Sequence, residues 1–368
     1  MTLRTMRAVS VVAFLGIGAI PIESNAHHAV SAHFDESQTL TLQGIVVDFK
    51  LRSPHATFVL DGALIDDAGR QIGDIQTWEI ESISAPGLRR LGIDPDTFQR
   101  GDGITVVGSP HRNPEYLYLH SDWFIDTNDR VYRNEIMAGQ RVQVDPDASA
   151  KEARANRIDG RWRASLLSIA NSSPLPLNEQ GQAAWDQYDP KLSPANTCEP
   201  VNIPAVFLGP YLFDVEISGT EITLHNQLYD VVRRLPTDST AVRSDPDGIF
   251  GSMTARFSGD ALVVESSEFP PSRWGLAFAT SVLGGGADLP SSVQKSVTET
   301  YSVSDDGQTL NVDYRIVDPV YLLEPYEGRV SLSRVADDAP MYPFECDLES
   351  ASMFSRDLGE NPLEIERE

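Results

Sequence analysis

The chain has 368 residues, with 54 Asp and Glu against 29 Lys and Arg, for a formal charge of −25. A surface this acidic repels polyanions, which excludes nucleic acid and anionic lipid as partners. Apolar residues make up 41% of the chain, enough for folded cores rather than disorder, and the length suggests two domains.

Residues 1–26 read as an export signal. Arg4 and Arg7 give a positive start, an apolar run follows through Ile20, and Ser24-Asn25-Ala26 places small residues at a cleavage site. The apolar run is shorter than the ~20 residues a spanning helix needs, and no later stretch is long and apolar enough to span. A soluble periplasmic or secreted protein with no stable membrane span after cleavage is therefore expected. The leader carries two Arg and one Glu, so the remainder would carry −26.

Residues 27–145 alternate as short strands. Leu40, Leu42, Ile45, Val47 and Phe49 belong to one run, 56–60 to a second and 77–81 to a third. Residues 86–92 predict a short helix stopped by Gly92, and 94–100 the start of another. Strand patterns resume at 104–107, 116–119 and 123–125. Five or six short strands around one helix predict a small OB-like β-barrel.

Residues 146–195 predict a helical linker. The segment 148–157 has helical composition, 172–176 is Ser/Pro-rich, and Asn178 caps a helix running through Trp185. From 196 to 355 strands return, at 213–217, 221–225, 229–235, 252–257, 261–266, 296–302, 309–317, 329–335 and 344–348, with tight turns between most of them. An antiparallel meander of this length closes or curls, so a lipocalin-like barrel or strongly curved sheet is expected. The longest break, 267–295, holds Trp274 and Gly284-Gly285-Gly286 and reads as a lid, a rim, a plug or an irregular excursion. Residues 356–368 form an acidic tail. The fold class is all-β.

Cys198 and Cys346 are the only cysteines. In an oxidising compartment an even pair reads as one disulfide, worth about 4–5 kcal/mol for so long a loop by the chain-entropy model.

Several residues resemble a known family: His27-His28, Phe34-Asp35, Leu42-x-Gly44, Pro54-His55, Trp78-x-x-Glu81, 88–92 and Gly101-Asp102. They are similar to a bacterial secreted domain of unknown function that opens with His-His-Ser after its signal and carries Asn-Pro-His on the next strand. Ala29 stands here where Ser is usual, and Ser53 where Asn is usual. The second half resembles a β-module commonly fused to that domain, through residues such as Cys198, Tyr211-x-Phe213, 259–264, Asp318-Pro319 and Glu345-Cys346. The resemblance implies export and this architecture, and no activity.

Six of the seven histidines lie between positions 27 and 120. A histidine at a processed N-terminus offers a metal its amine and its ring. His27, His28 and His55, with Glu81 as a lesser ligand or a group behind one, form a candidate copper or zinc site. The competing reading is an exposed histidine pair and a hydrogen-bonded strand histidine. Glu79 and Glu81 lie two apart on one strand. Asp260 with Glu265 forms a candidate acid/base pair, Arg233-Arg234 a candidate anion site, and Trp274, Phe269 and Phe278 a candidate ligand mouth. No nucleophile elbow, HEXXH or phosphate loop occurs. The expectation is a binding or accessory protein with a small-molecule or envelope-protein partner. A lyase or hydrolase working in the second barrel and a structural envelope module are the alternatives, and enzymatic activity stays open.

Overall fold

The computed structural model describes residues 33–133, 158–164, 173–245, 248–279, 281 and 283–353. The proposed leader, His27 and His28, the helix expected at 148–157 and the acidic tail lie outside the described residues.

The chain is all-β. Six strands build the first unit: β1 Leu40–Lys50, β2 Thr57–Ile65, β3 Gln71–Glu81, β4 Gly103–Pro110, β5 Tyr118–Asp126 and β6 Val131–Arg133. They pair in the order β3-β2-β1-β4-β5-β6, and a parallel pairing of β3 with β5 closes the first five into a barrel. Closure follows from alternation. Leu42 and Val46, Phe58 and Leu60, Trp78 and Ile80, Ile104 and Val106, and Leu119 and Phe124 all point into one core. The helix Ala85–Arg90 lies between β3 and β4 as the sequence predicts. The second helix expected at 94–100 is instead a run of turns, in which Asp94 accepts from Thr97 N–H and Phe98 enters the barrel core. The strands expected at 116–119 and 123–125 are one strand, β5, which begins at Tyr118 and so takes only the second half of the first.

The second unit is a sheet of ten strands. These are β7 Gly160–Ala164, β8 Leu212–Ser218, β9 Glu221–Asn226, β10 Val231–Pro236, β11 Arg243–Ser244, β12 Ser252–Ser258, β13 Ala261–Ser267, β16 Ser296–Val303, β17 Thr309–Val317 and β18 Tyr326–Arg334. Their order is β10-β9-β8-β7-β18-β17-β16-β13-β12-β11. The sheet curls until β10 lies against β12, so its two ends meet. β7 comes from a stretch that showed no strand pattern, yet it sits in the middle of the sheet with Trp162 fully buried. Burial by neighbouring strands overrides weak local preference there. Downstream, the helix Glu179–Asp186 starts where expected, with Asn178 accepting from Gly181 N–H.

Two segments depart from their sequence patterns. Residues 267–295 contain a hairpin, β14 Ser272–Ala277 with β15 Leu289–Ser291. Trp274, Leu276, Leu283 and Leu289 from this segment join the second core, so it fills the interior of the curled sheet, and of the two expected forms the sheet is the curved one, with no pairing among the described residues that closes it. Residues 344–348, expected as a strand, leave the sheet: Glu345 has a left-handed φ of 47°, and Asp347 caps the short helix Leu348–Ala351. Cys198 and Cys346 form the expected disulfide. Among the described residues no helix is long and apolar enough to cross a membrane.

Candidate functional site

Charge placed where the barrels are dry marks the sites worth testing. In the first barrel the strongest such feature is Glu81, the last residue of β3, whose side chain is 0% exposed. Glu79, two residues earlier, is exposed, so only one of the two carboxylates of this strand enters the interior. His55 reaches Glu81 from the segment just before β2, with Nδ1 2.9 Å from Oε1 and its side chain 22% exposed. The Tyr118 hydroxyl donates to Oε2 from the start of β5. His120, nearly buried, is the register partner of Glu81 across the parallel β3–β5 pairing.

Burial alone would raise the Glu81 carboxyl. The charge and hydrogen bonding of His55, then the charge of His120 and the Tyr118 hydroxyl, outweigh it and hold the group below the usual carboxylate range. An ionised carboxylate behind a half-buried imidazole orients that ring and fixes which of its nitrogens faces away from the carboxylate. Such a nitrogen is suited to ligating a metal or accepting a proton.

The cluster extends outward through rings. Phe34 packs against Tyr118, His120 and His111 with centroids 5.0, 5.4 and 5.8 Å apart. His111 stacks on Tyr118 at 6.0 Å and lies 6.3 Å from His33. His111 Nδ1 accepts from Asn113 N–H at 3.1 Å. Thus two histidines, His55 and His120, act on the Glu81 carboxylate, and His111 and His33 join the cluster only through the rings of Phe34 and Tyr118. The close approach of β4 and β5 needs Gly108, where a Cβ would lie 2.0 Å from the His120 carbonyl oxygen.

Of the candidate metal residues, His55 and Glu81 come together, while His27 and His28 lie outside the described residues. Among the described residues no group of three or more His, Cys, Asp or Glu is arranged to hold a metal ion. Tyr118, His111 and His120 were not singled out from the sequence. No short motif links them to Glu81, because the parallel β3–β5 contact brings together positions almost forty residues apart.

The ten-stranded sheet has its own buried charges. Arg233 crosses from β10 to Glu299 on β16, Nη1–Oε2 2.6 Å and Nη2–Oε1 3.0 Å, and also donates to the Tyr301 hydroxyl at 2.8 Å. Arg234, the other half of the candidate anion site, pairs with Glu221 on the surface. Every oxygen of Glu299 is engaged, so this cluster braces the interior. Lys295 is 1% exposed and donates to Asn202 Oδ1 at 2.7 Å and to the Ile203 and Gly275 carbonyls at 2.5 and 2.6 Å. Burial pushes its ammonium down to about 7. Asp260 and Glu265 do not pair: Asp260 sits in the turn before β13, about 16 Å from Glu265 at strand rise, and Glu265 faces Arg256 on the surface.

No curated protein sequence matches this chain. A family model described as a family of unknown function (DUF6152) matches residues 16–117, a span that takes in His55, Glu81 and His111, ends one residue before Tyr118 and leaves the ten-stranded sheet outside it.

Proposed function

We propose that the protein is an exported accessory protein of the periplasm or cell exterior that binds a divalent transition metal at the first barrel. His55 is the internal ligand, His27 and His28 supply the others, and Glu81 stands behind His55 instead of ligating. The observation that carries this reading is the 2.9 Å contact between the His55 ring and the fully buried Glu81 carboxylate. Both Glu81 oxygens are already engaged, one by His55 and one by Tyr118, which suits the supporting role. If His27 is the first residue of the processed chain, its amine and ring add two nitrogens, and a nitrogen-rich set favours Cu(II) over Zn(II).

The test is titration of the processed protein with Cu(II) and Zn(II), alongside His55→Ala, Glu81→Gln and a form carrying one extra residue before His27. Stoichiometric Cu(II) binding that His55→Ala abolishes and Glu81→Gln weakens by about tenfold is expected. Binding unaffected by His55→Ala overturns the reading. Binding unaffected by the extra residue removes the terminal amine from the ligand set. The curled ten-stranded sheet fits a scaffold, since its interior is filled by Phe207, Phe213, Tyr301 and the Arg233–Glu299 pair.

A further inference from the structure

The last described stretch of chain does not stay with the sheet that precedes it. Phe344 is buried in the second core, and Cys346 is tied to Cys198 with Cα atoms 5.9 Å apart. The backbone then crosses onto the first barrel. Cys346 forms a parallel bridge with Ser53, and Asp347 donates its N–H to the Ser53 carbonyl at 2.8 Å. Ser350, 1% exposed, takes both backbone polar groups of His55: its Oγ accepts the His55 N–H at 3.1 Å and donates to the His55 carbonyl at 2.6 Å. Met353 packs with Phe34 and Tyr118, the tyrosine that holds the far oxygen of Glu81.

Residues 344–353 therefore act as a strap that touches both sides of the His55–Glu81 pair. Ser350 stands in for a neighbouring strand at His55, and removing its hydroxyl removes both of these hydrogen bonds. The remaining holds are Arg52–Asp347 at 2.8 Å, Arg52–Glu349 at 2.6 Å and Lys50–Glu349 at 3.0 Å. These are at least partly solvent-exposed, and each is worth at most about 1 kcal/mol. The disulfide is the one covalent hold, and it lies four residues from Ser350.

We propose that formation of the Cys198–Cys346 disulfide completes the His55 site: the crosslink fastens the strap across the first barrel, and Ser350 is the positioning residue that sets the His55 backbone. The functional consequence rests on the metal-binding role of His55; the mechanical coupling does not. Joining the two thiols releases two electrons and two protons to a disulfide-bearing oxidant, which leaves as a dithiol, and a dithiol reductant reverses the step. Both cysteines are half-buried rather than sealed in the core.

The full processed chain, uniformly labelled with 15N, is compared oxidised, after dithiol reduction, as C198S/C346S, as Ser350→Ala and as Ser350→Thr. Amide exchange at His55 and Asp347 and the ring nitrogen shifts of His55, recorded without metal, read the strap. Cu(II) titration of the same samples reads the metal role. Reduction and Ser350→Ala are expected to speed His55 amide exchange by about tenfold, move its ring resonances and weaken Cu(II) binding about tenfold. The amides of β17 keep their protection, and Ser350→Thr restores the oxidised pattern. If C198S/C346S does not fold, the reduced native chain and Ser350→Ala decide. His55 exchange and ring shifts identical in the oxidised, reduced and Ser350→Ala forms overturn the proposal whatever the copper result. Changed His55 signals with no Cu(II) binding in any form uphold the strap and remove the metal role alone.

Discussion

Arg233 and Glu299 face each other across the inside of the curled ten-stranded sheet, joined by two parallel hydrogen bonds of 2.6 and 3.0 Å between strands that are six places apart in the sheet order. The pair can meet only because the sheet curls. Both residues sit on the apolar phase of their strands, Arg233 between Val231 and Leu235 and Glu299 between Val297 and Tyr301. Removing one partner leaves a buried charge without its counter-ion. Arg233→Met or Glu299→Gln is expected to lower unfolding free energy by about 3–5 kcal/mol, whereas the double change to apolar residues recovers much of it. Urea denaturation of the three variants checks this, and additive losses would contradict it.

Glu81 makes stability depend on acid. Its folded value is held below the ordinary 4.5 by His55 first among the opposing charges, then by His120 and Tyr118. A lowered carboxyl contributes stability that is fully present above 4.5 and is lost as pH falls through the folded value. The stability gap between the native chain and Glu81→Gln is therefore expected to be widest near neutrality and to close in strong acid. Denaturation midpoints for both proteins across that range measure it. A gap that stays constant into strong acid would remove the ionised carboxylate from the account.

Lys295 gives stability a pH dependence of the same sign in a higher window, for a different reason. Its ammonium has three oxygen acceptors, but burial dominates and lowers it from 10.5 to about 7. Between those values the unfolded chain binds a proton that the folded chain has released, so this group makes stability rise with pH. Lys295→Met is expected to flatten that part of the rise, read by comparing the slope of unfolding free energy against pH in the two proteins.

Glu349 shows how little an exposed ion pair contributes. Arg52 and Lys50 hydrogen bond it and hold its carboxyl down to about 2, yet its side chain is 62% exposed. Glu349→Gln is expected to shift unfolding free energy by less than about 1 kcal/mol, and less still at high salt. Ser350→Ala, one residue on, is expected to change the His55 signals strongly. Thermal melts at low and high salt give the first number, and the histidine spectra give the second.

Much of the fold was legible because alternation survives in these strands. Leu42 and Val46 on β1, Phe58 and Leu60 on β2 and Val297 and Tyr301 on β16 each mark an inward face directly. β7 was not legible, because a strand of five residues carrying two Arg and one Trp acquires its pairing from β8 and β18 rather than from its own preference. The start of the strap, 344–348, read as a strand because Phe344 and Cys346 alternate with charge, and nothing local says that the chain leaves the sheet for the first barrel.

The sequence by itself determined the all-β class, the barrel-then-meander order, the pairing of the only two cysteines and the interest of His55 and Glu81. These follow from periodicity, counting and residue chemistry, all of which are local or compositional. Only the tertiary structure decided that Glu81 is dry and bracketed by His55, Tyr118 and His120, that Arg233 meets Glu299, and that Ser350 grips His55 from 295 residues away. Each of these contacts joins groups whose meeting depends on closure of the first barrel, on the curl of the second sheet, or on a chain crossing from one unit to the other. Long-range closure of that kind leaves no periodic trace in the chain that makes it.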